Sequence, residues 1–306
     1  MSAAPARSAA LPDLDELLAL RGASHGLTLR SQAGSRGLLH GAHQSAQRGR
    51  GMEFQEVRPY VAGDDPRTID WRVTARRGRP HTKLFREERE RPVWLLVDLS
   101  PALFFGSHRQ LKSALVVRAA ALLAWVAARD GDRVGALIGA AHGVRVIAPR
   151  AREAGVLPLL EALLSLQPTA PAAAGEGAAE SLRALAALLR SGSLVCWLSD
   201  FAGLNAAVTD SCAGLTRSTE WRLFWITDAL ERRGLPDGRF RAGLPGRLQT
   251  LDGAGVRGRW LAAWRQRTAQ LEALSTRLVA PVVPLDTGEA AEQILRPALQ
   301  RRPHAA

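Results

Sequence analysis

Lysine is almost absent from this 306-residue chain: Lys83 and Lys112 are its only two, and every other basic residue is arginine. Tyrosine occurs once, at Tyr60, and cysteine twice, at Cys196 and Cys212. The two cysteines lie in apolar segments and form no CxxC pair, which argues against a zinc site or a disulfide framework and suits a reducing compartment. Long apolar runs are also missing. The longest apolar helix candidate, within residues 114–131, is interrupted by Arg118 and falls short of the roughly 20 residues that span a bilayer. Asp13, Asp15 and Glu16 stand where a secretory signal needs its apolar run. A cytoplasmic chain without a membrane span is expected.

What is present is positive charge, +12 with an isoelectric point near 11.3. Such an excess raises nucleic acid as a partner. The arginines, however, are spread along the chain and do not gather into a stripe, and with abundant Ala, Gly and Leu they read as coding bias of a GC-rich bacterial genome. No nucleic-acid partner is expected.

The chain divides by composition into three parts. Residues 1–34 hold a disordered start and a short helix, "LPDLDELLAL", capped by Asp13. Residues 35–92 form a dense polar block, expected to pack on a sheet edge, and residues 93–301 alternate strands with helices. The unbroken apolar run Val93 to Val97 suits a strand covered on both faces. Further strands are read in "RVGALIGA", "GVRVIAP", "SLVCWLSD", "WRLFWITD", "GRLQTLD" and "PVVPLD", with helices between most of them. This alternation predicts an α/β fold with a doubly wound, mostly parallel sheet and an N-terminal polar extension. Trp260 and Trp264, four apart on a helix, are expected in the core.

Ligands of such sheets bind beyond the carboxyl ends of the strands. Three predicted strands end in aspartate, at Asp98, Asp200 and Asp228, and Asp228 reads best as a helix cap. "DLSPA" at 98–102 is one residue from D-x-S-x-S and resembles the metal-ion-dependent adhesion motif of the von Willebrand factor A fold. By that resemblance Asp98, Ser100 and Asp200 would hold Mg²⁺ or Mn²⁺, hard cations that prefer oxygen ligands. Ala102 stands where the third oxygen ligand belongs, and the motif's threonine is missing before the third helix, so the site reads as degenerate.

The polar block carries a longer resemblance. "GMEFQEVRPYVAGDDPRTIDWRVTAR" meets, with Gly51, Glu53, Phe54, Arg58, Tyr60, Gly63, Asp64, Arg67, Ile69, Asp70, Trp71, Ala75 and Arg76, the core signature of the bacterial family called domain of unknown function 58. "GDRVG" at 131–135 and "LSDF" at 198–201 also look like that family. The resemblance implies a von Willebrand factor A-like fold, no established catalytic activity, and association with MoxR-type AAA+ ATPases that remodel or mature protein complexes.

Read physically, Asp65 can cap a short helix with Pro66 at its first position, and Gly78 can end it. Such a helix would let Ile69 and Trp71 turn towards the core. Glu53, Arg58, Asp64, Arg67, Asp70 and Arg76 offer matched charges for bidentate pairs, and the block would brace itself while presenting Arg and Tyr to a partner. A metal-dependent hydrolase would use Asp64, Asp65 and Asp70, but the arginines between them neutralise the carboxylates that a cation needs. Nucleic-acid binding through Arg72, Arg76, Arg77, Arg79 and Lys83 is opposed by the acids of "FREERERP". The expectation is a non-enzymatic adaptor whose partner is an AAA+ ATPase or its client, with the metal-dependent hydrolase and the nucleic-acid binder as alternatives.

Overall fold

The computed structural model describes residues 11–30, 52–61, 64–87, 90–172, 177–212, 214–215, 219–244 and 246–300. The disordered start expected ahead of "LPDLDELLAL" therefore falls outside the described residues. Residues 1–30 and 91–306 form one unit, and residues 31–90 form another.

In chain order the elements begin with α1 (Leu14–Ala23), β1 (Met52–Pro59), α2 (Trp71–Arg77), β2 (His81–Glu87), β3 (Pro92–Asp98), α3 (Lys112–Arg129), β4 (Arg133–Ala140) and β5 (Gly143–Ala151). They continue through α4 (Glu153–Leu166), α5 (Gly177–Leu188), β6 (Ser193–Ser199), α6 (Ala206–Ser211), β7 (Thr219–Thr227) and α7 (Ala229–Arg233). Last come β8 (Arg239–Leu244), β9 (Arg247–Asp252), α8 (Gly253–Leu278), β10 (Val282–Asp286) and α9 (Ala291–Leu299).

The larger unit is built on a six-stranded sheet in the order β10-β7-β6-β3-β4-β5. All its pairings are parallel except β4 with β5, a hairpin that leaves an antiparallel edge. The order steps outward one way from β3 to β4 and β5, then jumps back across β3 to β6, β7 and β10. The reversal lies between β3 and β6, and such switch points open a crevice at the carboxyl ends of the strands.

Strand periodicity sorts β3 to both faces. Val93, Leu95 and Val97 join the cluster built with α1, α3, α4 and α9, whereas Trp94 and Leu96 join the cluster built with α5, α6 and α8. All five are buried, as the unbroken apolar run requires. The fold is therefore α/β and doubly wound. Helix α3 lies almost wholly in the interior, where its many alanines let neighbouring elements approach closely. One expectation was incomplete: "GRLQTLD" is strand β9, and it pairs with β8 in a hairpin apart from the main sheet.

Residues 11–30 belong to this unit and are not a separate extension. Leu17, Leu20, Leu27 and Leu29 are buried in its core, Thr28 N–H donates to the Leu299 carbonyl at 2.7 Å, and Leu29 N–H donates to Asp130 Oδ2 at 2.7 Å.

In the smaller unit β1 and β2 pair antiparallel, with a register slip between Phe54 and Glu56. The single helix expected after Asp65 is two. Asp65 caps a 3₁₀ turn at Pro66–Thr68, and Asp70 caps α2 by accepting from the Arg72 and Val73 amides. Gly78 ends α2 at φ 68°, a left-handed turn that glycine adopts without steric cost.

Candidate functional site

At the switch point Asp98 ends β3 and Asp200 directly follows the adjacent β6, so the tertiary structure brings together the acids singled out in the sequence. Asp98 Oδ1 accepts the Ser100 amide at 2.9 Å, and its Oδ2 accepts the Ser199 hydroxyl at 2.8 Å. Ser199 in turn accepts the Phe201 amide at 3.0 Å, and Asp200 Oδ1 accepts the Ala202 amide at 2.9 Å. Phe201 sits at φ 55°, an uncommon backbone for a bulky residue, held by this hydrogen-bonded loop.

The centre of the site is a residue that the motif did not name. The Lys112 ammonium, on a side chain 2% exposed, lies 2.7 Å from Asp200 Oδ2 and 2.9 Å from Glu231 Oε1. It also lies 5.9 Å from the centre of the Phe105 ring, and Arg267 Nη1 reaches Glu231 Oε1 at 3.0 Å. Burial opposes the charge on Lys112, but the carboxylates of Asp200 and Glu231 outweigh it and hold the ammonium above the ordinary lysine value. Burial likewise opposes the charge on Asp200, and Lys112 outweighs it, so that Asp200 stays below the usual carboxylate range. Asp98 moves the other way: burial first, and Asp200 second, push it up.

This donor set does not fit a divalent cation. Mg²⁺ requires nearly complete octahedral oxygen coordination. Ala102 offers no side-chain oxygen, Asp98 is drawn towards its neutral form, and Asp200 already faces an ammonium. Among the described residues no cluster of three or more His, Cys, Asp or Glu is suited to hold a metal.

Two openings flank the Asp200 loop. A cavity of 240 Å³ is bordered by Asp98, Ser100, Gly139, Ser181 and Phe201, and a cleft of 370 Å³ by Phe105, Lys112, Glu231, Trp260, Trp264 and Arg267. Ala102 and Asp200 border both. Trp260 and Trp264 are therefore cleft walls and not interior core: both are half-buried. Trp264 stacks on Trp225 with ring centres 4.9 Å apart, and Trp260 Nε1–H donates to the Glu231 carbonyl at 3.0 Å.

Asp228 caps α7 through the Leu230 amide, as expected, but it also accepts from the Ser107 amide, the Ser107 hydroxyl and the Thr287 hydroxyl. It ties three loops at the same edge of the sheet. Burial pushes the Cys196 thiol up to about 12 and the Cys212 thiol up to about 11, so neither is an activated nucleophile.

In the smaller unit Arg58 grips Asp64 through two parallel bonds, of 2.8 Å and 2.7 Å. The Tyr60 hydroxyl donates to the Asp64 carbonyl at 3.1 Å. Arg58 leads the causes that hold Asp64 below the usual carboxylate range. Glu53 pairs in register with Arg86 along β1 and β2, and Asp70 serves as a helix cap. The bracing expected of Arg58 and Asp64 is present. Arg67, Arg76 and Trp71 are exposed, and Trp71, which the sequence suggested could turn inwards, is 70% exposed.

The model of the family described as protein of unknown function DUF58 matches residues 56–218, more than half of the chain.

The chain belongs to the DUF58 family.

Uncharacterized proteins of Mycobacterium tuberculosis and Mycobacterium bovis are 35% identical to this DUF58 chain over 167 residues, covering 55% of it and 52% of each relative. The chain thus spans about half the length of the curated relatives it matches. A von Willebrand factor type A protein from Catenulispora acidiphila is similar at a TM-score of 0.41 and 12% identity, over 70% of this chain and 42% of that one. The strand order itself gives the fold class, α/β with a mostly parallel central sheet. An aerotolerance-related membrane protein of Bacteroides fragilis is similar at a TM-score of 0.45 and 13% identity, covering 67% of this chain and 97% of that one. An uncharacterized membrane spanning protein of Vibrio fischeri follows at 0.21 and 17%, covering 65% and 92%. The cytoplasmic placement expected from the sequence is corrected by these two, which are described as membrane proteins. Among the described residues no helix is long and apolar enough to cross a membrane, and no compartment is assigned to the chain.

Proposed function

We propose that this DUF58 protein is a non-enzymatic interaction adaptor that works with a MoxR-type AAA+ ATPase in maturing or remodelling a protein complex. The observation that carries the reading is Trp71. It stands 70% exposed on α2 within the family signature, beside the exposed Arg67, Arg72 and Arg76. Tryptophan and arginine are the side chains that most often dominate binding energy at protein interfaces, and a large indole left in water gains most when a partner covers it. Asp70, Arg58 and Asp64 are spent on capping and bracing, which keeps the displayed face rigid before binding. The acids at the carboxyl edge of the sheet are engaged by Lys112, Ser199 and backbone amides, which leaves them poorly placed for hydrolysis.

The test is a pull-down or titration of the chain with a purified MoxR-type ATPase from the same cell. Replacing Trp71 with alanine, in a variant with unchanged unfolding behaviour, is expected to weaken binding at least about tenfold, the scale of a hot-spot residue. Undiminished binding by that variant would sink the reading.

A further inference from the structure

We propose that Lys112 is a resident cation of the carboxyl-edge site, permanently occupying Asp200, an acid that the resembled motif would give to a divalent metal. Three independent observations meet on this residue. The first is chemical. In a chain that uses arginine almost everywhere, this position is one of two lysines. An ammonium is a compact point charge with three donors, closer in form to a bound ion than the flat guanidinium fork is.

The second is positional. Lys112 is the first residue of the 18-residue α3, whose first turn holds no acid. A cation there meets the positive end of the helix dipole, which disfavours it. Helix stability alone gives no reason for lysine at this place, and burial at 2% exposure adds a desolvation cost. What offsets both is the pair Asp200 and Glu231, with the Phe105 ring close to the ammonium.

The third is what the surrounding residues lack. Ala102, where the motif calls for an oxygen, borders both openings, including the cleft that Lys112 lines. Glu231, which the motif does not include, supplies the second carboxylate. The site therefore carries an apolar methyl where the motif has an oxygen ligand, and a carboxylate directed at a nitrogen cation. This is coherent for a fixed ammonium and unsuited to an exchangeable metal. The inference stands on this geometry and is independent of the adaptor reading.

Two consequences can be measured on the intact chain by titration with Mn²⁺, using calorimetry and thermal unfolding. The wild type is expected to bind no Mn²⁺ and to show the same Tm in Mn²⁺ and in chelator. Lys112→Ser leaves Asp200 and Glu231 without their cation and opens space beside them. It is expected to unfold at a lower temperature in chelator and to regain roughly 5 °C or more in saturating Mn²⁺. Lys112→Gln keeps most of the stem and offers an amide oxygen, and it serves the same purpose should the serine variant not fold. Saturable one-to-one binding of Mn²⁺ by the wild type, abolished by Asp200→Asn, overturns the proposal. A folded Lys112→Ser or Lys112→Gln with no Mn²⁺ response overturns it as well.

Discussion

At the residue scale, fully buried Asp228 shows how a motif can understate a side chain. Read alone it is a helix cap. In the structure it gathers four donors from Ser107, Leu230 and Thr287, which outweigh its burial and hold its carboxyl below the usual range. Asp228→Ala would leave those donors unpaired and is expected to cost roughly 2–4 kcal/mol in urea unfolding. Because the folded pKa lies below that of the unfolded chain, the stabilisation is fully present above the ordinary aspartate value of 3.8. As pH falls below that value the unfolded chain takes up the proton first, so this stability is lost as pH drops through the folded pKa. A comparison of wild type and Asp228→Asn should therefore show the stability gap closing in strong acid and staying level from weak acid to neutrality.

At the scale of elements, the hairpin of β4 and β5 depends on Gly135, the last residue of "GDRVG". A Cβ there would meet the Ile147 carbonyl oxygen at 2.6 Å and Pro149 N at 2.7 Å, where the ladder slips between Val134 and Ala136. Those are backbone and ring atoms with nowhere to move. Gly135→Ala is thus expected to destabilise by roughly 1–3 kcal/mol through overpacking. Gly258 is the contrasting case: it lies exposed inside α8 with nothing within 4 Å of the added carbon. Gly258→Ala should stabilise by about 0.5–1 kcal/mol, since alanine favours helix and loses less freedom on folding. Equilibrium unfolding of the two variants checks both signs. The short apolar runs "RVGALIGA" and "GVRVIAP" made these strands legible, but not their slip, because a bulge reflects the fit of a partner strand absent from the local pattern.

At the scale of the molecule, the segment 11–30 is part of the larger unit although the 61 residues 31–91 separate it from β3. Its leucines sit against α3 and α9, the Trp125 indole N–H donates to the Leu17 carbonyl at 2.9 Å, and Arg118 pairs with Glu16. Arg91 and Arg222 both donate to the Leu29 carbonyl at 2.8 Å. Removing residues 1–30 strips four buried leucines, each worth about 1.5–3 kcal/mol of burial, a total comparable with the roughly 5–15 kcal/mol net stability of a domain. The truncated chain is expected to lose its cooperative thermal transition in calorimetry. An unchanged transition would show the segment to be dispensable.

Much of this protein is written locally. Apolar runs such as Val93–Val97 specify strands covered on both faces, and Asp13, Asp65, Asp70 and Gly78 mark their own helix ends through chain neighbours only a few residues away. The signature between Gly51 and Arg76 declared the family, because close spacing preserves a pattern that can be read along the chain. The centre of the site was not legible in that way. Lys112, Asp200 and Glu231 come from three separate elements, 88 and 119 residues from the lysine to its two acids, and nothing in their local sequences refers one to another. Their meeting follows from the order of the sheet, whose reversal between β3 and β6 sets the carboxylates at one edge and the start of α3 beside them. Sequence determined which elements form; only the packed sheet decided that the positive charge among its acids comes from a lysine.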